Sequence, residues 1–128
     1  MEGKIINFEK KYDMIEPKDL RIGNYYQGAS RGNIEIVTWQ TLRDLSEGKL
    51  NLLPIPLTEE ILLKFRYKKI RDNEFLFDNH FIIFIKESEI DFYLYNSEGN
   101  DFFVCEIQFA HELQNLHYSI KKEKITFK

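Results

Sequence analysis

Between residues 67 and 109 the chain runs as a train of short apolar segments, YKKI, EFLF, HFIIFI, DFYLY and DFFVCEIQF, parted by RDN, DN, KESE and NSEGN. Segments this short, interrupted this often by Asn, Asp, Gly and Ser, describe an antiparallel meander. The 11 Phe and 7 Tyr suit half-buried strands better than a helical bundle. In the last segment Phe103, Cys105, Ile107 and Phe109 alternate with Glu106 and Gln108, which predicts a sheet with one buried face. FIIFI, residues 81–85, lacks that alternation. It is expected at the sheet centre, covered by a helix on one face and by the N-terminal unit or a second subunit on the other.

Upstream, LRIGNYYQ and IEIVTW flank GASRGN, whose Gly28 and Gly32 can take the positive φ values of a hairpin loop. This N-terminal β-hairpin is compatible with part of a small barrel. TLRDLSEG offers Thr41 as a cap and Gly48 as a stop for one or two helical turns. PIPLTEEILLKFRYKK carries the clearest helix start, with Thr58 as N-cap, Glu59 and Glu60 in the first turn, and Leu57 and Leu62 as a hydrophobic staple. EKITFK reads as a closing strand. Residues 1–14 show no period and read as an N-terminal extension, and residues 15–128 as a single α+β domain: the hairpin, a short capped helix, the antiparallel meander and a C-terminal helix packed on the sheet.

Several chemistries are disfavoured. A net charge of −3 with interspersed signs sets up no field for a phosphate backbone. Cys105, the single cysteine, sits in an apolar alternation as a small buried hydrophobe. The longest apolar run is far too short to span a bilayer, and no secretory pattern opens the sequence, so the expected setting is cytoplasmic, with no membrane partner. HELQNLH imitates a zinc motif, but Asn115 stands where the second His belongs, and His117 lies roughly 120° round the helix from His111. His80 reads as a polar turn residue, and no metal or cofactor is expected. A nuclease would pair Asp91 or Asp101 with Glu106, yet Gln108 occupies the position of the usual Lys. RYKKIR, residues 66–71, is either a solvated edge guarded by charge or an anion contact made by Arg66 and Lys68.

HELQNLHYSI raises the functional question. Leu113, Leu116 and Ile120 form an apolar stripe, while His111, Gln114, Asn115 and Tyr118 share the opposite side at helical spacing. Uncharged donors and acceptors suit a specific hydrogen-bonded contact better than a solvated face, which Lys and Glu would serve. The alternative is structural, with the amides bonding loop backbone and His111 capping the helix.

LRIGNYY, PIPLTEEILLKF and HELQNLHYSI, in this order, resemble a family of uncharacterised small proteins of Bacteroidota and their phages, whose members read like "LRIGNYV", "PIPLTEEILLKLGF" and "VHQLQNLYFALTG". The resemblance spans roughly residues 17–120. Arg66 and Lys122 stand where that family tends to have Gly, and His117 replaces an aromatic. The resemblance brings no activity with it, only a phage or prophage setting. The resulting expectation is a non-enzymatic binding module in the host bacterial cytosol, an anti-defence protein sequestering a small anionic nucleotide signal or a host protein. Tyr25, Tyr26 and Trp39 would stack on the ligand, and Arg21, Arg66 and Lys68 would hold phosphate. The alternatives are a single-stranded nucleic-acid accessory protein and a divergent metal-dependent nuclease. A homo-oligomer would supply a second cover for FIIFI.

Overall fold

The computed structural model describes residues 17–28, 32–96, 98 and 100–127, so the extension expected at residues 1–14 lies outside the described residues. After a 3-10 turn at Pro17–Asp19 come β1 (Tyr25–Gly28), β2 (Ile34–Ile36), α1 (Trp39–Ser46), β3 (Leu52–Leu53) and α2 (Glu59–Lys64). Then follow β4 (Lys68–Arg71), β5 (Glu74–Phe77), β6 (Phe81–Ile85), β7 (Ile90–Tyr95), β8 (Asp101–Ile107) and α3 (Ala110–Lys121). The fold is α+β: a three-stranded antiparallel sheet ordered β2-β1-β3, and a five-stranded meander ordered β4 to β8. The small sheet is open rather than a barrel.

The meander forms because its turns are locally encoded. Asp78 and Asn79 both take positive φ, 53° and 59°, and His80 N–H closes the turn onto the Phe77 carbonyl. Asn and Asp tolerate that region better than other non-glycine residues. β6 is central, as its unbroken apolar run required. Phe75, Ile83 and Phe92, all 0 % exposed, lie opposite one another on the face that packs on α2 and α3. β1 packs against α3, sending Tyr25 into the helix-side core. Ile82 on the far face, also buried, lies between Leu76 and Tyr93 on the flanking strands.

Four further expectations are corrected. Phe103 does not share the face of Cys105: the register shifts between them, so Cys105 opposes Phe92 while Phe103 opposes Tyr93 on the far side, and Phe103 is exposed. A bulge inserts one residue and so inverts the alternation beyond it. The cap of α1 is Thr38, not Thr41. Thr41 is the third helical residue, returning a bond from the Thr38 N–H while its own N–H donates to Thr38 Oγ1. Trp39 consequently opens a helix instead of closing a strand. The segment 123–127 forms no strand: Ile125 is buried in the main core and Phe127 stacks on Tyr25 with ring centroids 4.0 Å apart.

The α2 signature behaves as read, with Thr58 Oγ1 accepting from Ile61 N–H. Its exit is a Schellman motif: Tyr67 N–H donates to Leu62 O and Arg66 N–H to Leu63 O, with Arg66 left-handed at φ 73°. Lys122 at the end of α3 is left-handed too, at φ 60°.

Candidate functional site

The polar side of α3 faces the protein's own backbone. Gln114 is 5 % exposed and makes three bonds: its Oε1 accepts from Tyr25 N–H at 2.8 Å, and its Nε2 donates to the carbonyls of Gly23 and Ile125, each at 3.1 Å. Asn115 accepts from Asn24 Nδ2 and donates to the Asp19 carbonyl, both at 3.1 Å. Asn24 in turn accepts from Arg21 N–H. The two amides thus tie the 19–25 segment and the C-terminal tail to the helix. His111 is buried against Phe109 and does not cap; Glu112 accepts the N–H groups of Gln108 and Phe109 instead. Among the described residues His111 Nδ1 has no partner, and burial lowers the imidazole pKa from its ordinary value, with Glu112 and Asp19 partly opposing.

Tyr118, the fourth member, remains exposed, and around it the structure gathers cations. The Arg21 guanidinium and the Lys122 ammonium each lie 5.8 Å from its ring centroid. Beside it opens a cavity of about 350 Å³ lined by Arg21, Ile22, Asn24, Leu42, Tyr118 and Lys124 together with Gly23, Gln114, Asn115 and Ile125. Among the described residues Arg21 and Lys124 are its only charged lining residues, and no acid lines it. The Lys124 ammonium lies 3.9 Å from where a Cβ on Gly23 would stand, an ordinary contact distance, and it is the φ of 98° that favours glycine there. None of Arg21, Lys122 and Lys124 has an ion-pair partner among the described residues. A second cavity, about 520 Å³, is lined by Lys18 and Arg21 but also by Asp19, Glu106 and Glu112, so it presents no net attraction for an anion.

Of the sequence-derived candidates, Arg21, Gln114, Asn115 and Tyr118 converge at one cavity and His111 lies at the other. Tyr25 and Tyr26 are buried, at 7 % and 6 %, and cannot stack on a ligand; Tyr25 Oη instead accepts from Phe127 N–H. Trp39 is exposed beneath the Arg43 guanidinium. Arg66 and Lys68 are exposed and line neither of these cavities. The rest of RYKKIR is neutralised, Lys69 by Glu59 and Asp72, Arg71 by Glu74. Lys122 and Lys124 escaped sequence reasoning because they sit in an irregular tail whose path no period reports.

The acid pair weighed for metal chemistry does come together. Asp91 and Glu106 are direct cross-strand neighbours, and Glu89, two residues before Asp91, joins them. Lys86 Nζ is 2.7 Å from Asp91 Oδ2. That bond raises the lysine's pKa, and Glu89 is raised by its contact with Asp91. Asp91 is lowered: its burial would raise it, and Lys86 and Glu89 together outweigh that. No described helix is long and apolar enough to cross a membrane. No protein-family model, curated protein or solved structure matches the chain.

Proposed function

We propose that this chain is a non-enzymatic binding module that takes a small anion bearing a planar ring, a nucleotide in chemical class, in the cleft between the 21–24 segment, α1 and the end of α3. The carrying observation is a pair of cations, Arg21 and Lys122, over the exposed Tyr118 ring, with Lys124 lining the adjoining cavity; none of the three has an ion-pair partner, and no acid lines that cavity, among the described residues. A helix C-terminus carries roughly half a negative charge, so one lysine suffices to offset it. Three cations exceed that need and leave positive charge for a phosphate, in a protein whose net charge is −3. Tyr118 supplies the stacking face, and Ile22, Leu42 and Ile125 an apolar wall. In a phage or prophage setting such a module would act by sequestering a signal nucleotide as a host-defence antagonist.

The test is a thermal-shift and calorimetric screen of nucleoside monophosphates and cyclic mono- and dinucleotides at low salt. Ligand at a hundred times its Kd adds about 2.7 kcal/mol of stability, a readily measured rise in Tm. Arg21→Ala and Tyr118→Ala each weaken binding, and Trp39→Ala, outside the cleft, does not. No stabilisation near millimolar ligand, or equal stabilisation of the Arg21→Ala protein, overturns the proposal.

A further inference from the structure

The cluster on the far face of the large sheet lies apart from the cleft and is chemically unbalanced. One carboxylate oxygen from each of Glu89, Asp91 and Glu106 lies within 4.8 Å of the other two, and among the described residues Lys86 is the only cation bonded to them. Two negative charges are therefore left over. Asp91 and Glu106 oppose each other directly on β7 and β8, an arrangement that is destabilising unless something sits between them. The second observation is independent of the count of acids. The Asp91 side chain is 3 % exposed and its Oδ1 has no hydrogen-bond partner among the described residues, although Lys86 takes Oδ2. A buried carboxylate oxygen left unpaired costs more than a typical hydrogen bond returns.

We propose that Glu89, Asp91 and Glu106 hold one hard divalent cation, Ca²⁺ by size. Two oxygens on one ion are at most twice the metal–oxygen distance apart, about 4.6–5.2 Å for Ca²⁺ and about 4.2 Å for Mg²⁺. Each pair of donor oxygens lies within 4.8 Å, inside the upper bound for Ca²⁺, and a small closing movement of the exposed Glu106 seats all three on one ion. All three donors are carboxylates, the ligands hard cations prefer, and the +2 charge cancels the excess left by Lys86. Glu106 is exposed, and Lys86 and Glu89 border a cavity of about 400 Å³, so the ion has access and room for water ligands. Asp91 offers Oδ1 while keeping its lysine, and the lysine fixes its rotamer.

Calcium titration of the metal-free full chain at neutral pH by calorimetry, with Tb³⁺ luminescence sensitised through Tyr93 opposite Phe103 as a second readout, tests the site. The expected result is one ion per chain with a Kd in the range of roughly 10⁻⁵ to 10⁻³ M. Glu106→Gln, at an exposed position that leaves folding intact, weakens it at least tenfold, as does Asp91→Asn if that variant folds. Glu87→Gln, an acid outside the cluster, leaves it unchanged. Absence of Ca²⁺ and Tb³⁺ binding at millimolar concentration overturns the proposal and leaves a proton shared by Glu89 and Asp91 as the balancing charge. Equal binding by Glu106→Gln overturns it as well.

Discussion

In a Gln114→Met variant the side-chain length and most of its volume remain, while one acceptor and two donor contacts vanish from the junction of helix, loop and tail. The Tyr25 N–H and Ile125 carbonyl partners are in buried bonds, and each loses its partner where water does not reach. The desolvation cost is about 1–3 kcal/mol apiece. The Gly23 carbonyl is only part-buried and can turn to water, adding about 0–1 kcal/mol. The expected loss is thus about 2–7 kcal/mol, a large share of the 5–15 kcal/mol typical of a domain. Urea unfolding followed by far-UV circular dichroism measures it, with Cm falling and m unchanged. A loss below about 1 kcal/mol would refute the argument that this amide holds loop and tail to α3. Gln114→Glu adds a sign test. Its carboxylate keeps the bond from Tyr25 but turns the other oxygen towards two carbonyls, so its folded pKa is raised. The carboxyl form's stability is then fully present below the unfolded pKa of about 4.3 and lost as pH rises through the folded value. Relative to the parent protein, the variant must be weaker at pH 8 than at pH 4.

His117 is 1 % exposed among Phe77, Phe81 and Phe92, and burial lowers its pKa to about 4. Tyr67, its own pKa raised well above the usual value by burial, keeps its proton, and its hydroxyl shares a 2.7 Å hydrogen bond with His117 Nε2. Because the folded pKa lies below the unfolded value of about 6.5, this contribution is complete above pH 6.5. It is lost as pH falls towards 4, roughly 3 kcal/mol in all. His117→Phe flattens that slope while lowering stability at pH 7 through the orphaned Tyr67 hydroxyl; an unchanged slope in the variant refutes the assignment. Arg66→Gly relieves a left-handed residue at φ 73°. The strain of about 1–2 kcal/mol outweighs the extra unfolded-state entropy of glycine, so a net gain of about 0.5–1 kcal/mol is expected by urea unfolding, and a loss would sink the reasoning.

What the sequence disclosed and what it withheld divide along one physical line. The five meander strands and the Thr58 cap were legible because turn chemistry and capping act within a few residues. The face of Phe103 was not, because a bulge is one inserted residue that leaves the composition of DFFVCEIQF unchanged while reversing everything beyond it. Thr38 was hidden inside an apparently extended IEIVTW, where Trp39 reads equally well as strand. The tail EKITFK has strand composition, but Ile125 and Phe127 are buried one by one against Gln114 and Tyr25 instead of pairing in a ladder. Glu89 could have been found: two residues before Asp91, it shares the side of the extended chain that Asp91 and Glu106 occupy.

The polar side of α3 shows how a correct observation about residue type can point to the wrong neighbour. Amides were singled out there because they make directional, uncharged bonds, and they do make them, to Asp19, Gly23, Asn24, Tyr25 and Ile125. Those anchors bracket Arg21 on both sides in the chain, and Asn24, held by Asn115, accepts the Arg21 N–H. The backbone of Arg21 is therefore fixed by α3, which sets its guanidinium over Tyr118, itself one turn further along that helix from Gln114. A flexible arginine would lose side-chain entropy of up to about 2 kcal/mol on gripping a phosphate. An arginine whose backbone is already bolted and whose head already rests on a ring loses less. Gln114 and Asn115 act on the cleft through position, and Arg21, Tyr118 and Lys124 supply the surface that a ligand would meet.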